Sequence, residues 1–587
     1  MSNIRHDALV AGGLAAALLA LLLPVASIGV DQHHDGCMLK PALDVLSGQV
    51  LFRDSFMQYG AMSCYLQVLA LWIQPTLLSI RLLTVAAYVL TLLALYAAWR
   101  LILPRSLAGV AGLLFILFVP VCEKDYWDHQ YYLLLPWSSV YAMLFQSLGL
   151  YALFRVIRGE RPESWGLVLG MATACVFWFR QPVGAMMLGS LMVIWPALHW
   201  AGWTPATSSK RAILGRVVFG LVLVHALMFG GMAVTGALPA WWYQNVVWPA
   251  RWSQSVDWMD TLPFSIHPVA AADMLALGMA LAVPTVVWRS RPGWFARFLP
   301  VYGLALGALL IWQREALIRA LDLSEGGWAL VIPLVIAGQA GLSVRQAFAG
   351  TGIGRPGEYY MVSALAALAL GSLVQYYPMA DSWHIFYSLA PAFGLFVFSL
   401  WRWSGRPAPL VAMVLITLLL PMGCHKIREI SPAMNRPLVT LQQPAVLRGM
   451  KVPPGQALTL AQVDATLDLI MRYQPDIPSA LIGDSALYLC LTNNQANPTP
   501  YYVTWRGLAR QADNLQRWTY IAQVRPIMIL HGARWQAVDD FYKRSRYVPL
   551  LYVPPERLEI AVPQELADRM GLKAYGLFGI RRSNAQP

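Results

Sequence analysis

Charge is scarce in this chain. Lys, Arg, Asp and Glu together supply 12% of its 587 residues, against about 25% in ordinary soluble domains. That shortage excludes a soluble enzyme of this length. Cysteine is sparse too, at six residues, and no two stand in the Cys-x-x-Cys spacing that would suggest zinc. The sequence has no internal repeat and no low-complexity tract. It also lacks a nucleotide loop, because the glycine-rich run at 350–357 lies in a connection with no strand before it.

What is abundant is apolar length. Hydrophobic residues make up 58% of the chain, and its mean hydropathy is +0.51. Stretches of roughly 20 apolar residues recur, each long enough for a ~30 Å hydrocarbon layer. The pattern predicts a polytopic α-helical membrane protein with about 13 transmembrane helices. They fall near 8–30, 82–103, 106–121, 133–155, 164–178, 182–200, 213–236, 268–288, 298–313, 327–343, 359–377, 386–402 and 409–423. The first run is long and uncharged, and no small-residue cleavage site precedes the polar residues after it. It therefore reads as a retained span rather than a signal peptide.

The net charge of +13 has a local explanation. Every second connection is short and basic. These hold Arg100 and Arg105; Arg155, Arg158 and Arg161; Lys210, Arg211 and Arg216; Arg289, Arg291 and Arg297; Arg345 and Arg355; Arg402 and Arg406. The positive-inside rule assigns them, with the N-terminus, to the cytoplasm, so no nucleic-acid partner is needed to explain them. The opposite loops hold Asp31, Asp35, Asp54, Asp125, Asp128, Arg180, an aromatic stretch at 241–252, Asp381 and His384. An odd span count leaves the C-terminus on that outer face as well. From about residue 425 the long apolar runs stop. Strand-like runs at 479–491, 525–532 and 547–554 lie between helix-like runs at 459–473 and 564–571. The expected organisation is a transmembrane module over 1–424 and a smaller extracytoplasmic α/β domain over 425–587.

Four outer clusters carry chemistry. The first is Asp31-Gln32-His33-His34-Asp35-Gly36, directly after the first span, where ionisable groups usually mark function. Asp31 and Asp35 are four apart, which puts both on one face of a helical turn as a possible base and metal ligand. The competing reading is a helix cap for one Asp, Asp44 or Asp35, since Pro41 shows a helix nearby. The second cluster, at 122–132, gathers Lys124, Asp125, Asp128 and His129 among tyrosines and a tryptophan, against a plain interfacial aromatic belt. In the third, Arg180-Gln181-Pro182 breaks an apolar stretch. It makes a hairpin turn and sets an arginine where it can neutralise a phosphate. The fourth, at 375–387, places Asp381 and His384 beside Tyr376 and Tyr377. Gly483-Asp484-Ser485 reads as a strand-to-helix turn, because no Asp-x-x-His follows to supply an esterase base. Cys37 and Cys64 share one loop, either as a disulfide or as separate buried thiols.

These pieces together resemble the GT-C superfamily, integral membrane glycosyltransferases related to the protein mannosyl-, aminoarabinose- and arabinofuranosyl-transferases. The resemblance rests on "HHDGCMLKPALDVLSGQVLFRDSFMQYG" after the first span and "WFRQPVG" between two short spans. It extends to "GALPAWWYQNVVWPARW", "QYYPMADSWHIFYSLAP" and "YLCLTNNQANPTPYY", and so covers most of the chain. The chain departs from the Asp-Glu pair common in aminoarabinose and protein mannosyl transferases, because His34 stands where Asp would, which leaves the base open between Asp35 and Asp31. The resemblance implies inverting transfer of a sugar from a polyprenyl-phosphate carrier, with no nucleotide, to a glycan, lipid or protein acceptor at the periplasmic face of a bacterial inner membrane. In that scheme Asp35, with Asp31 as the other catalytic carboxylate, takes the acceptor proton. Arg180, His384 and Lys124 hold the departing phosphate. Asp31, His33 and Asp128 are candidate ligands for a divalent ion (Mg, Mn or Ca). His34, Gln181, Tyr377 and Asp381 line the donor and acceptor positions. Oligosaccharyl transfer to a pilin or lipid shares this chemistry. A lipid-linked-sugar transporter would need polar groups deep inside the spans.

Overall fold

The structure, a computed structural model, describes residues 2–121, 123–124, 131–132, 134–205, 208–254, 328–349, 356–376, 382–405, 407–483, 485–491, 500–502, 508–531, 545–553 and 557–572. The first half is a run of helices: α1 (Ser2–Ala26), α2 (His34–Leu46), α3 (Ala61–Ile73), α4 (Leu77–Trp99) and α5 (Arg105–Phe118). A two-residue hairpin follows, β1 (Glu123–Lys124) with β2 (Tyr131–Tyr132), then α6 (Ser138–Ile157), α7 (Pro162–Phe179), α8 (Gln181–Trp200) and α9 (Lys210–Val234). Next come α10 (Leu238–Trp242), a π-helical turn (Tyr243–Val247) and α11 (Trp248–Ser253). Further helices are α12 (Trp328–Ala349), α13 (Pro356–Ser372), α14 (Ser382–Leu389), α15 (Phe393–Ser404) and α16 (Ala408–Asn435).

Among the described residues eight helices are long and apolar enough to cross a membrane. Of the thirteen expected spans, 268–288 and 298–313 lie outside the described residues. Three others are helices too: α5, at 14 residues; α7, at 18 residues and packed against α6, α8 and α9; and α12, at 22 residues. Proline marks the helix starts, as its fixed φ and missing N–H favour: Pro104 precedes α5, Pro162 and Pro182 lie in the first turns of α7 and α8, and Pro407 precedes α16.

The helix ends sort by charge. At one end of the bundle Asp7 pairs with Arg100 and Arg105, Glu160 with Arg155 and Arg158, Glu163 with Arg216, and Glu358 with Arg402. Side-chain bonds from Trp203 to the Ile157 carbonyl and from Tyr360 to the Ala201 carbonyl tie these connections together. We call this the basic end. The opposite, acidic end carries residues 27–60 and the α7–α8 reversal. The C-terminal region covers it.

That region begins beyond α16, which runs on past residue 425 to Asn435. It contains β3 (Val439–Thr440) paired with β4 (Lys451–Val452), then α17 (Pro454–Tyr473). A four-stranded sheet follows in the order β5 (Ser479–Gly483), β6 (Ile527–His531), β8 (Leu558–Pro563), β7 (Tyr547–Val553). The first pair is parallel and the rest antiparallel. Helices α18 (Gln511–Val524) and α19 (Gln564–Arg569) and a 3-10 segment (Ala486–Leu491) complete this α/β unit. All five residues of β5 and all six of β8 are buried, the mark of strands covered on both faces.

Candidate active site

The segment between α1 and α2 is short and almost wholly buried. One oxygen of Asp31, Oδ1, accepts the backbone N–H of His34 and lies 3.0 Å from His34 Nδ1. That oxygen thus meets the first N–H of α2, whereas Asp35 and Asp44, the aspartates expected to cap, bond Arg81, Lys40 and Ser55 instead. The other, Oδ2, has no hydrogen-bond partner among the described residues. The backbone N–H of Asp31 donates to Asp35 Oδ2 at 2.9 Å. Asp35 is fully buried and held by Arg81, with Nη2 at 2.5 Å from Oδ2 and Nε at 3.3 Å from Oδ1. The remaining Arg81 donors reach the carbonyls of Ile28 (3.2 Å) and Gly29 (3.1 Å). One guanidinium thus fastens both the carboxylate and the loop backbone to α4.

This arrangement drives the two acids apart. Burial raises the Asp35 carboxyl above the ordinary carboxylate range, with Arg81 pulling the other way. Burial also acts on Asp31, but His34 and then His33 outweigh it and hold Asp31 below that range. Two carboxyls with separated affinities for a proton suit two different roles.

Beyond Asp35, α2 carries a second buried pair. Lys40 Nζ lies 2.5 Å from Asp44 Oδ1, and Ser55 Oγ donates to Asp44 Oδ2 at 2.5 Å. Lys40 also sits 5.4 Å from the centre of the Tyr502 ring. Neither Lys40 nor Asp44 has any exposed surface.

The chain reverses between α7 and α8 through one extended residue, Arg180 (φ −151°, ψ 100°), and the Gly184 N–H closes the turn on the Arg180 carbonyl at 3.1 Å. Gly60 docks against this turn. Its N–H donates to the Phe179 carbonyl, and a Cβ at position 60 would collide with the Trp178 carbonyl. Neighbouring Tyr59 lies under the Arg180 guanidinium, 5.6 Å from carbon to ring centre. Arg180 Nη1 is buried and has no hydrogen-bond partner among the described residues. A buried unpaired cationic donor is costly unless an anion completes it.

Trp137, just before α6, joins the clusters. Its ring lies 5.4 Å from His34, 5.5 Å from His384 and 5.6 Å from Trp383. One turn along α6, the Tyr141 ring lies 5.8 Å from Phe179, next to Arg180, and the Tyr141 hydroxyl bonds Thr84 Oγ1 at 3.1 Å. Thr84 is one turn from Arg81 on α4. Asp31, His34, His384 and the Arg180 turn, separated by up to 353 residues in sequence, thus hang on the first turns of α4 and α6.

Against that geometry the chain matches no family model and no curated protein by sequence. Solved structures give a likeness over almost its whole length. One is the oligosaccharyltransferase AglB of Archaeoglobus fulgidus in complex with an inhibitory peptide and a dolichol-phosphate, at 11% identity over 96% of this chain and 75% of that one, TM-score 0.48. The same protein in complex with zinc and sulfate gives 12% identity over 95% and 73%, TM-score 0.45. ArnT of Cupriavidus metallidurans bound to undecaprenyl phosphate gives 14% identity over 94% and 98%, TM-score 0.41.

The remaining expected residues fall as follows. Gln181 Nε2 donates to Asn245 Oδ1 at 2.7 Å, tying the turn to the aromatic stretch. His33 packs edge-on to His34, ring centres 4.8 Å apart. Lys124 is described by its backbone alone, in β1. Asp128, Tyr377 and Asp381 lie outside the described residues. Cys37 and Cys64 are separate buried thiols, and Gly483 closes β5 ahead of the 3-10 segment, the strand-to-helix turn expected. Among the described residues no three His, Cys, Asp or Glu side chains converge on a metal position. With Asp31 Oδ1 bound directly to His34, Asp31 and His33 do not by themselves make one, and no step below passes through an ion.

Sequence reasoning missed Arg81, Lys40, Asp44 and Trp137. Arg81 stands one residue before the expected span at 82–103. Because α4 begins at Leu77, Arg81 lies a full turn inside the helix, which is a recoverable signal: an arginine within an apolar run needs an anion. Lys40 and Asp44, at i and i+4, look like an ordinary solvated helix pair, and it takes Ser55 together with Tyr502 of the C-terminal region to cover them.

Proposed function

We propose that this chain is an inverting glycosyltransferase of the GT-C type, moving a sugar from a polyprenyl-phosphate carrier to a glycan, lipid or protein acceptor, with Asp31 rather than Asp35 as the general base. The observation that carries this reading is a pair of unfilled valences at one end of the bundle: Asp31 Oδ2, free to accept a proton, and Arg180 Nη1, buried and free to meet an anion. As the acceptor oxygen bonds the anomeric carbon, its proton passes to Asp31 Oδ2. The bond from that carbon to the carrier's phosphate oxygen breaks with its electron pair, and Arg180 meets the charge that develops on the phosphate. Asp35 is saturated by Arg81 and by the Asp31 N–H, so it orients the base. His384 and His34 flank the reacting centre through Trp137. Apolar spans around a charged mouth suit a carrier whose tail stays in lipid while its head reaches water. A transporter reading is weaker, because among the described residues the buried ion pairs Arg81–Asp35 and Lys40–Asp44 both sit at one end of the bundle.

In this reading the chain lies in a bacterial inner membrane with its N-terminus cytoplasmic and the region over 425–587 in the periplasm. The test uses purified protein, a panel of radiolabelled polyprenyl-phosphate sugars, and intact-mass detection of acceptors from an envelope extract. Undecaprenyl phosphate and dolichol-phosphate serve as binding probes. Label transfer by the wild type, with undecaprenyl-phosphate affinity lowered about tenfold or more in Arg180→Gln, is the expected result. No transfer from any donor, with affinity unchanged by Arg180→Gln, overturns the proposal.

A further inference from the structure

The acidic loop is bound along its backbone by the C-terminal region. Gly29 N–H donates to the Lys451 carbonyl at 2.8 Å, and Lys451 N–H returns to the Ser27 carbonyl at 2.6 Å. Gln456 Nε2 donates to the Val30 carbonyl at 2.7 Å. Leu487 N–H donates to the Gln32 carbonyl at 3.2 Å. Residues 27–32 thus take hydrogen bonds from three separate C-terminal segments within six positions.

Two features of α2 make that docking close and directional. A Cβ at Gly36 would collide with the backbone N of Leu487 and press on the backbone of Ala486, so only glycine lets the 3-10 segment lie this near. One turn further on, Lys40 sits with Asp44 and Ser55 beneath Tyr502, whose hydroxyl donates to the Phe56 carbonyl at 3.2 Å. A charged pair without solvent contact fixes geometry more strongly than it adds stability. It needs the C-terminal region in place, because without that cover Lys40 and Asp44 would be wet.

We propose that Gly36 and Lys40 are positioning residues for the transfer step: through them the segment Ala486–Leu491 sets where the Asp31 carboxylate stands, so the C-terminal region is a structural part of the active site. This rests on the glycosyl-transfer reading above. A displacement of roughly 1 Å at a reacting group lowers a rate by about 100-fold, while a donor phosphate held at Arg180 need not notice it. The expected signature is therefore a loss in turnover without a loss in donor binding.

The experiment compares wild type, Gly36→Ala and Lys40→Met, each purified as the full chain. It has three readouts: turnover at saturating donor and acceptor, affinity for undecaprenyl phosphate, and maleimide labelling of each cysteine by mass spectrometry. Cys37, beside Gly36 on α2, and Cys490, in the 3-10 segment, are buried on either side of the docked surface. Cys175, buried in α7, is the internal control for folding. Expected are an approximately 100-fold fall in turnover, donor affinity within about twofold, and new labelling at Cys37 and Cys490 with Cys175 still protected. Lys40→Arg should recover part of the turnover. Protected cysteines with wild-type turnover overturn the proposal, and so does new labelling with wild-type turnover. If Gly36→Ala labels at Cys175 it has unfolded, and Lys40→Met decides. If the wild type transfers nothing yet both variants expose Cys37 and Cys490, the docking stands and the glycosyl-transfer reading fails instead.

Discussion

The two ends of the bundle use the same charged groups to different ends. At the basic end Asp7 meets Arg100 at 2.9 Å and Arg105 at 2.7 Å, with all three side chains a quarter to a third exposed. At the acidic end Asp35 meets Arg81 at 2.5 Å, and Lys40 meets Asp44 at 2.5 Å, with exposures of 2% or less. Water competes for the first set, so each pair there contributes little and can be replaced by hydration. Nothing competes for the second, so removing one member strands a charge. The lesson concerns placement rather than strength. At the basic end the pairs can give way to water, whereas the acidic end fixes atoms to one position.

Breaking the buried set should give the largest effect. Arg81→Met leaves the Asp35 carboxylate without its counter-ion and frees two loop carbonyls. A cost of about 3–5 kcal/mol should appear as a sharp fall in yield and in detergent melting temperature. The double variant Arg81→Met/Asp35→Leu, which removes both charges, should recover a substantial part of the stability. Next in size, Asp31→Asn keeps a side chain able to accept from the His34 N–H but removes the base. Transfer should drop by about 10²–10⁴-fold, with the melting temperature nearly unchanged. The reverse pattern in Asp35→Asn, unstable before it is inactive, would sharpen the contrast between the two acids.

The pH dependence of transfer separates them without mutation. His34 and His33 hold Asp31 low, so it stays ionised as pH falls through the ordinary carboxylate range near ~4. The acid limb of kcat/KM for wild-type enzyme should then lie below that range. Were Asp35 the base, its raised affinity for a proton would lift the limb above it. The smallest effect belongs to the basic end. Asp7→Asn should change stability by no more than about 1 kcal/mol, leave transfer intact, and lose even that difference in high salt.

Much of this architecture was legible in residue order. The apolar runs and the alternation of basic and acidic connections gave the helical class and set the acidic motif, Arg180 and His384 at one end, where Trp137 and Tyr141 link them. The apolar runs at 106–121, 164–178 and 327–343 are the helices α5, α7 and α12. The roles of Asp31 and Asp35 were not separable. Both are aspartates on one turn, and the difference comes from Arg81, 46 residues on, which saturates one and not the other. Lys40 and Asp44 were invisible for a related reason. Their burial depends on Tyr502 and the 3-10 segment more than 440 residues away, and no local pattern records such a contact.

The central claim is that Asp31 takes the acceptor proton while Asp35 holds it in place. Single-turnover transfer of radiolabelled sugar by folded Asp31→Asn and Asp35→Asn proteins, each preloaded with donor, tests it most directly. The account expects Asp31→Asn to bind donor normally and transfer essentially nothing, and expects well-folded Asp35→Asn protein to retain measurable turnover. Full turnover by Asp31→Asn, with Asp35→Asn silent though folded, would contradict it.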